Sequence, residues 1–296
     1  MAYGVLNIND QNLFATSQTN STTQLDFTLF SDFNHYQTFT TGVNSVGSEG
    51  TGFGAAASTA ALGISNATST AGFGGVTGPA SAISITTSAL SNATDVGAIN
   101  TQVNLLPGIP IPTTGFVTKY EFETRLRTAG TIHSDTVRGC FRAGFMDSGG
   151  MGTAGDTTLN GVYFRFLCNG TTTNTTWNII WINSDGGATT AVNTGVSLAI
   201  NTTYRMYLSV EVDPAGVFTT TYRILNENTG TKTEGTASPS NSAHYPGVSY
   251  GYAIGAAIVN CKTVTATTTP IALYADYMGV RIRRPISNRD ILIGKI

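Results

Sequence analysis

The stretch TKYEFETRLR, residues 118–127, decides the fold class. In an extended chain Tyr120, Phe122, Thr124 and Leu126 fall on one side, and Glu121, Glu123, Arg125 and Arg127 on the other. A strict period of two is the mark of a half-buried β-strand. Downstream, VRGCFRAGFM (137–146) sets Val137, Phe141 and Phe145 against Arg138 and Arg142, and further strand-like runs follow at 161–168, 176–183, 203–212, 217–226, 250–260 and 271–284. Turn signals separate them: DSGG at 147–150, NG at 169–170, SDGG at 184–187, DPAG at 213–216 and NTG at 228–230. Many short strands at this spacing predict an antiparallel sandwich or jelly roll, not a parallel α/β sheet. No repeat of 20–50 residues is present, which argues against a propeller or β-helix.

Composition agrees with an all-β class. Of 296 residues only 11% are charged while 41% are hydrophobic, and 34 are glycine. Thr, Ser and Asn take the place of the missing charge, and Thr suits a pleated, half-wet surface. The periodic Ala, Leu, Glu and Lys runs of helices are absent. Charge is uneven along the chain. Residues 1–118 hold five acids and no base, and residues 119–296 hold fifteen bases and twelve acids, giving −5 and +3. The last eighteen residues carry Arg281, Arg283, Arg284 and Arg289, which the asymmetry marks as candidate assembly contacts. A solvated surface is the plain alternative. No broad basic patch suggests nucleic acid, and no apolar run reaches a membrane span.

The organisation expected is an extended N-terminal arm over 1–24, a β-sandwich over 25–284 and a basic tail over 285–296. Within the sandwich lie strand-like stretches at 25–41 and 82–106, a Gly/Ala/Thr-rich insertion at about 42–81, and a stiff Pro107–Pro112 link. The N-terminus lacks the basic and apolar regions of a signal peptide. Cys140, Cys168 and Cys261 are too few and too far apart for a disulfide framework, so they read as reduced core residues of a chain assembled in cytoplasm.

Several segments together are similar to a family of bacteriophage virion proteins that carry a concanavalin A-like jelly-roll domain. They are YEFETRLR, VRGCFRAGFMDSGG, NGVYFRF, TWNIIW, the run from Asn193 to Ile224, and YADYMGVRIR. The resemblance covers about residues 115–284. It implies a jelly-roll fold and a non-enzymatic structural protein of the virion. The small size, charge asymmetry and free arm fit a capsid-decorating or head-fibre protein; the alternative is a tail-fibre or receptor-binding protein with a lectin-like domain. The family's habit implies a homo-oligomer, a trimer, with capsid or tail subunits and a host surface glycan as further partners.

Chemistry is sparse. Jelly rolls also host glucanases, which makes Glu121 and Glu123 the pair to compare with a catalytic one. They project from one strand face about 7 Å apart, against about 5–5.5 Å between the carboxyls of a retaining glycosidase. Arg125 and Arg127 follow on that face, so an ion-paired surface is the simpler reading, and no catalytic residue is assigned. His35, His133 and His244 form no motif, and no cofactor or metal site is expected; the loops 147–156 and 183–187 offer few carboxylates for calcium. The aromatic candidates are Trp177 and Trp181, four apart on one strand, and Tyr245, Tyr250 and Tyr252 beside Pro246. Buried, the tryptophans are core; exposed, they would stack on sugar rings.

Overall fold

In the computed structural model the alternating stretch at 118–128 becomes a central strand of a two-sheet sandwich. The structure describes the strands named below, their intervening residues 129–138 and 198–202, and, with side chains, residues 119–147, 160–168, 175–182, 191–213, 217–239, 255–262 and 271–283 together with Ile85, Ala98 and Thr269. One sheet runs in the order β1 (Tyr3–Leu6), β2 (Asn12–Gln18), β3 (Gln24–Ser31), β18 (Ala272–Pro285), β9 (Thr118–Thr128), β14 (Thr203–Val212), β15 (Phe218–Asn226) and β16 (Thr231–Ala237). A pair made of β5 (Gly63–Asn66) and β6 (Ile83–Thr86) joins it at β18. The facing sheet runs β13 (Ala188–Ser197), β12 (Thr176–Asn183), β11 (Gly161–Cys168), β10 (Gly139–Asp147), β17 (Ala253–Lys262), β7 (Val96–Thr101) and β4 (Phe53–Ala57), with β8 (Leu106–Pro107) against β17. Every pairing is antiparallel. Strand β18 lies between β3 and β9, so this sheet joins segments far apart in sequence.

Where an extended arm over 1–24 was expected, β1 and β2 form a hairpin that continues the sheet beyond β3. Thr16, for example, sits opposite Phe27. The low-complexity segment at 42–81 contributes β4 and β5, which pair with β7 and β6. Residues 286–296, including Arg289, lie outside the described residues, as do the calcium-loop positions 148–156.

The core between the sheets is aromatic. Phe122 and Leu126 of β9, Phe141 and Phe145 of β10, and Trp177 and Trp181 of β12 are all essentially inaccessible. Trp177 stands edge-on to Phe166 at 6.2 Å and to Tyr204 at 6.3 Å. Tyr204 in turn ties down the turn before its own strand: its hydroxyl donates to the Ser197 carbonyl at 3.1 Å and accepts from the Ala199 amide at 2.8 Å.

Among the described residues, the central strands β10, β11, β12 and β17 of the facing sheet are buried on both faces. A second cluster on its far face includes Cys140, Met146, Tyr163, Ile180 and Val259. Arg142 lies on that face, opposite Phe141 and Phe145, and is fully buried. Burial lowers its pKa, and one guanidinium nitrogen approaches the Cys261 sulfur at 3.6 Å. Gly144, on the same strand, has a φ of +144°, and a Cβ there would stand 2.8 Å from the Tyr163 backbone. Only glycine allows β10 and β11 to approach so closely.

Cys140 and Cys261 face each other across β10 and β17 with Cα atoms 5.4 Å apart and form a disulfide. This corrects the expectation of three reduced thiols. Strand register, which sequence spacing does not show, brings together two residues 121 positions apart, and Cys168 is buried outside that disulfide. Disulfides persist in oxidising surroundings and typically contribute about 2–4 kcal/mol.

A polar staple joins the two sheets. Asn260 of β17 donates from its amide nitrogen to the carbonyls of Ile85 in β6 and Ile271 before β18, both at 2.8 Å. Two carbonyl acceptors fix which way the amide points, so its oxygen can only accept. That oxygen lies 3.0 Å from His133 Nε2, while Nδ1 lies 3.3 Å from the Val137 carbonyl. The shorter contact favours the Nε2–H tautomer. Gly139 makes room for the ring, because a Cβ there would sit 2.2 Å from His133.

Burial, reinforced by the charge of Lys262, holds the His133 imidazole down at about 4 against an ordinary 6.5, although its two hydrogen bonds favour the cation. The folded state therefore refuses a proton that the unfolded chain accepts. Stability from this group is complete above about pH 6.5 and is lost as pH falls toward 4, to a total of about 3 kcal/mol. Denaturant titrations between neutral pH and pH 4 should show that loss in the wild type and a flatter profile in His133→Gln; equal profiles would refute the assignment.

Candidate functional site

The outward face of the first sheet is built from the positions that alternate with its core. On β9 these are Lys119, Glu121, Glu123 and Arg125; on β14, Arg205, Tyr207, Ser209 and Glu211. On β18 the alternation changes parity. Leu273 and Ala275 point inward before a bulge between Ala275 and Tyr277, and Met278, Val280 and Ile282 point inward after it. The extra residue puts Asp276 and then Tyr277, Gly279 and Arg281 on the outer face.

Two tyrosine–glutamate bonds organise the centre. Tyr207 sits opposite Glu123 in the β14–β9 register but reaches diagonally, donating to Glu121 at 2.5 Å. Tyr277 sits opposite Arg125 and likewise reaches diagonally, donating to Glu123 at 2.7 Å. Diagonal neighbours on a sheet are within reach of long aromatic side chains. Burial first, and then the hydrogen bond to Glu121, pushes the Tyr207 phenol up to about 12; burial and Glu123 raise Tyr277 in the same way. Both therefore remain neutral donors at physiological pH. Arg223 lies over the Tyr207 ring at 5.6 Å and holds it from one side.

Between these groups lies an open depression of about 260 Å³, lined by Glu121, Glu123, Tyr207, Tyr277, Gly279 and Arg281. Gly279 contributes no side chain, and this leaves the space between Tyr277 and Arg281 on β18. Lys119 pairs with Glu121 at 3.2 Å, and Arg281 reaches it at 4.0 Å. Beside the depression Arg125 bridges Glu227 at 2.7 Å and Asp276 at 2.9 Å. Burial opposes that charge, but the two carboxylates outweigh it and raise the Arg125 pKa. The ion pairs of β9 thus run mainly across strands and not along it.

The sequence candidates are distributed differently. Trp177 and Trp181 are fully buried in the inter-sheet core, so neither offers a surface on which a sugar could stack. Their strand carries apolar residues on both faces, and both faces are covered. Tyr245, Tyr250 and Tyr252 lie outside the described residues. Arg281 is exposed at the rim of the depression, Arg283 is partly buried one step further along β18, and Arg284 is paired with Leu25 in the strand register. The sequence candidates for a site do not include Tyr207, Tyr277 or Gly279. The available signal was an aromatic residue at an outward, otherwise polar position of a strand. Among the described residues no group of three or more His, Cys, Asp or Glu side chains gathers to hold a metal ion.

The sequence matches no protein-family profile and no characterised protein. Solved structures do match the fold. The acidic lectin of winged bean, bound to methyl-α-D-galactose, superposes with a TM-score of 0.51 at 10% identity over 89% of this chain and all of that one. Peanut lectin, bound to a nine-residue peptide, superposes with a TM-score of 0.50 at 12% identity over 90% of this chain and 99% of the lectin. The fold is a concanavalin A-like jelly roll. At these identities the likeness describes architecture alone. In this jelly roll the depression lies on the outer face of the sheet that holds β9 at its centre, with its polar groups supplied by three adjacent strands.

Proposed function

We propose that this chain is a non-catalytic carbohydrate-recognition module of a phage particle, acting as the receptor-binding part of a tail fibre. The observation that carries the reading is the depression itself. Two carboxylates with spare lone pairs and two oriented tyrosines line a space close to the low end of ligand-pocket size, near 300 Å³. Carboxylates accept from sugar hydroxyls, and phenol rings pack against the apolar faces of sugar rings. The lectin-like architecture supports the same reading, as does the galactoside bound by the winged bean lectin. The phage setting rests on the sequence resemblance of residues 115–284 alone.

A hydrolytic role has less support. Glu121 and Glu123 stand side by side on one strand with both carboxylates engaged by tyrosine donors, and they do not flank a cleft. A capsid-decorating role is the second reading, favoured by the −5 and +3 halves of the chain, which suit head-to-tail subunit contacts. An oligosaccharide array probed with the folded protein separates the two. Selective binding should appear and fall about tenfold or more in Glu121→Ala/Tyr277→Ala. No binding to any sugar, or binding indifferent to the double variant, would overturn the reading.

A further inference from the structure

We propose that the sugar held in this depression carries a free amino group, and that Glu123 is the acceptor for its ammonium. The inference rests on the carbohydrate reading and names its ligand class. The two carboxylates of the site are not equivalent. Glu121 has Lys119 at 3.2 Å and Arg281 at 4.0 Å, so its charge is met within the protein. Glu123 accepts one hydrogen bond, from the neutral Tyr277 phenol, and among the described residues no cation pairs with it. A half-buried carboxylate without a counter-ion is an incomplete arrangement that a ligand cation completes.

The walls suit that cation. Tyr207 and Tyr277 flank the space, and an ammonium near a phenol face is attracted by the ring's quadrupole. Arg223 occupies one side of Tyr207, which leaves the other for the ligand. The shape favours a ring over a bare chain. The depression is open to solvent and Gly279 adds no side chain to its lining, whereas an extended lysine side chain would need a narrow bore. Arg281 at the rim can donate to ring hydroxyls while Glu123 takes the ammonium. An N-unsubstituted hexosamine unit meets these demands together. An N-acetylated unit would bring a neutral, bulkier amide to a charged acceptor.

The test is calorimetric titration of the full chain with glucosamine oligosaccharides, free and N-acetylated, of equal length at mildly acidic pH. The free form should bind at least about tenfold more tightly, the scale of a charge-assisted hydrogen bond. Added salt should weaken it. Glu123→Gln, nearly isosteric, should erase the preference while leaving the unfolding midpoint in place. The acetylated ligand makes the same comparison without altering the protein. Equal or tighter binding of the acetylated form, or a preference that survives Glu123→Gln, would overturn the amino-sugar assignment and leave carbohydrate binding intact. Failure to bind either oligosaccharide or any neutral sugar would overturn both readings. Tighter binding of a lysine-rich peptide than of the free oligosaccharide would transfer the site to a protein ligand.

Discussion

Replacing Asn260 with alanine should lower the unfolding free energy by about 3–5 kcal/mol, because three buried polar groups lose their partner at once. The Ile85 and Ile271 carbonyls each accept from its amide, and the His133 ring meets its oxygen. All of these sit between the sheets, where water cannot replace the lost bonds. The cost is one of unsatisfied polarity and not of volume, so two companion variants separate the causes. Asn260→Leu fills the space and should be as damaging as alanine. Asn260→Asp should be worse at neutral pH, since it aims a carboxylate at two carbonyls. Chemical denaturation measures each. A loss under about 1 kcal/mol in Asn260→Ala would mean that the staple does not hold the sheets together.

The second large effect is expected at Trp177. Truncation to alanine removes an inaccessible indole that packs against Phe141, Phe166 and Tyr204, and core changes of this kind cost about 3–5 kcal/mol. Among the described residues the indole N–H has no hydrogen-bond partner. Trp177→Phe therefore loses contact area without losing a bond, and it should cost clearly less than the alanine variant. Because Trp177 is core, Trp177→Phe should leave sugar affinity unchanged in the folded fraction. A fall in affinity with unchanged stability would instead return Trp177 to the binding surface.

Much of this architecture is legible in the chain's alternation. Residues 161–168, 176–183 and 203–212 are strands with the bounds that their pattern predicts. Two strands, β13 and β16, were not distinguished, because ATTAVNTGVS and TKTEGTA are nearly as polar as the turns around them. The hairpin of β1 and β2 was hidden for a related reason. Its residues pair with β3 through backbone bonds that composition does not reveal.

The site was half legible. Glu121 and Glu123 stood out at once, and their placement on an outward face followed from the period of two. Their partners did not, since Tyr207 and Tyr277 lie 86 and 154 positions away and reach them diagonally. The parity change in β18 was visible in ALYADYMGVRI, where inward residues pass from odd to even positions. Reading it as a bulge would have turned Tyr277 toward Glu123. The disulfide and the Asn260 staple depend on register between distant strands, which no single segment contains.

Where a sugar lands on the sandwich tests the site most directly. Backbone amide shifts of the isotope-labelled chain, recorded during titration with the tightest-binding oligosaccharide from the array, give that location. The expected result is a cluster of perturbations at Glu121–Glu123, Tyr207 and Tyr277–Arg281, on the outer face of the ten-stranded sheet. Perturbations confined to the loops at the ends of the sandwich, or to the eight-stranded sheet, would contradict it.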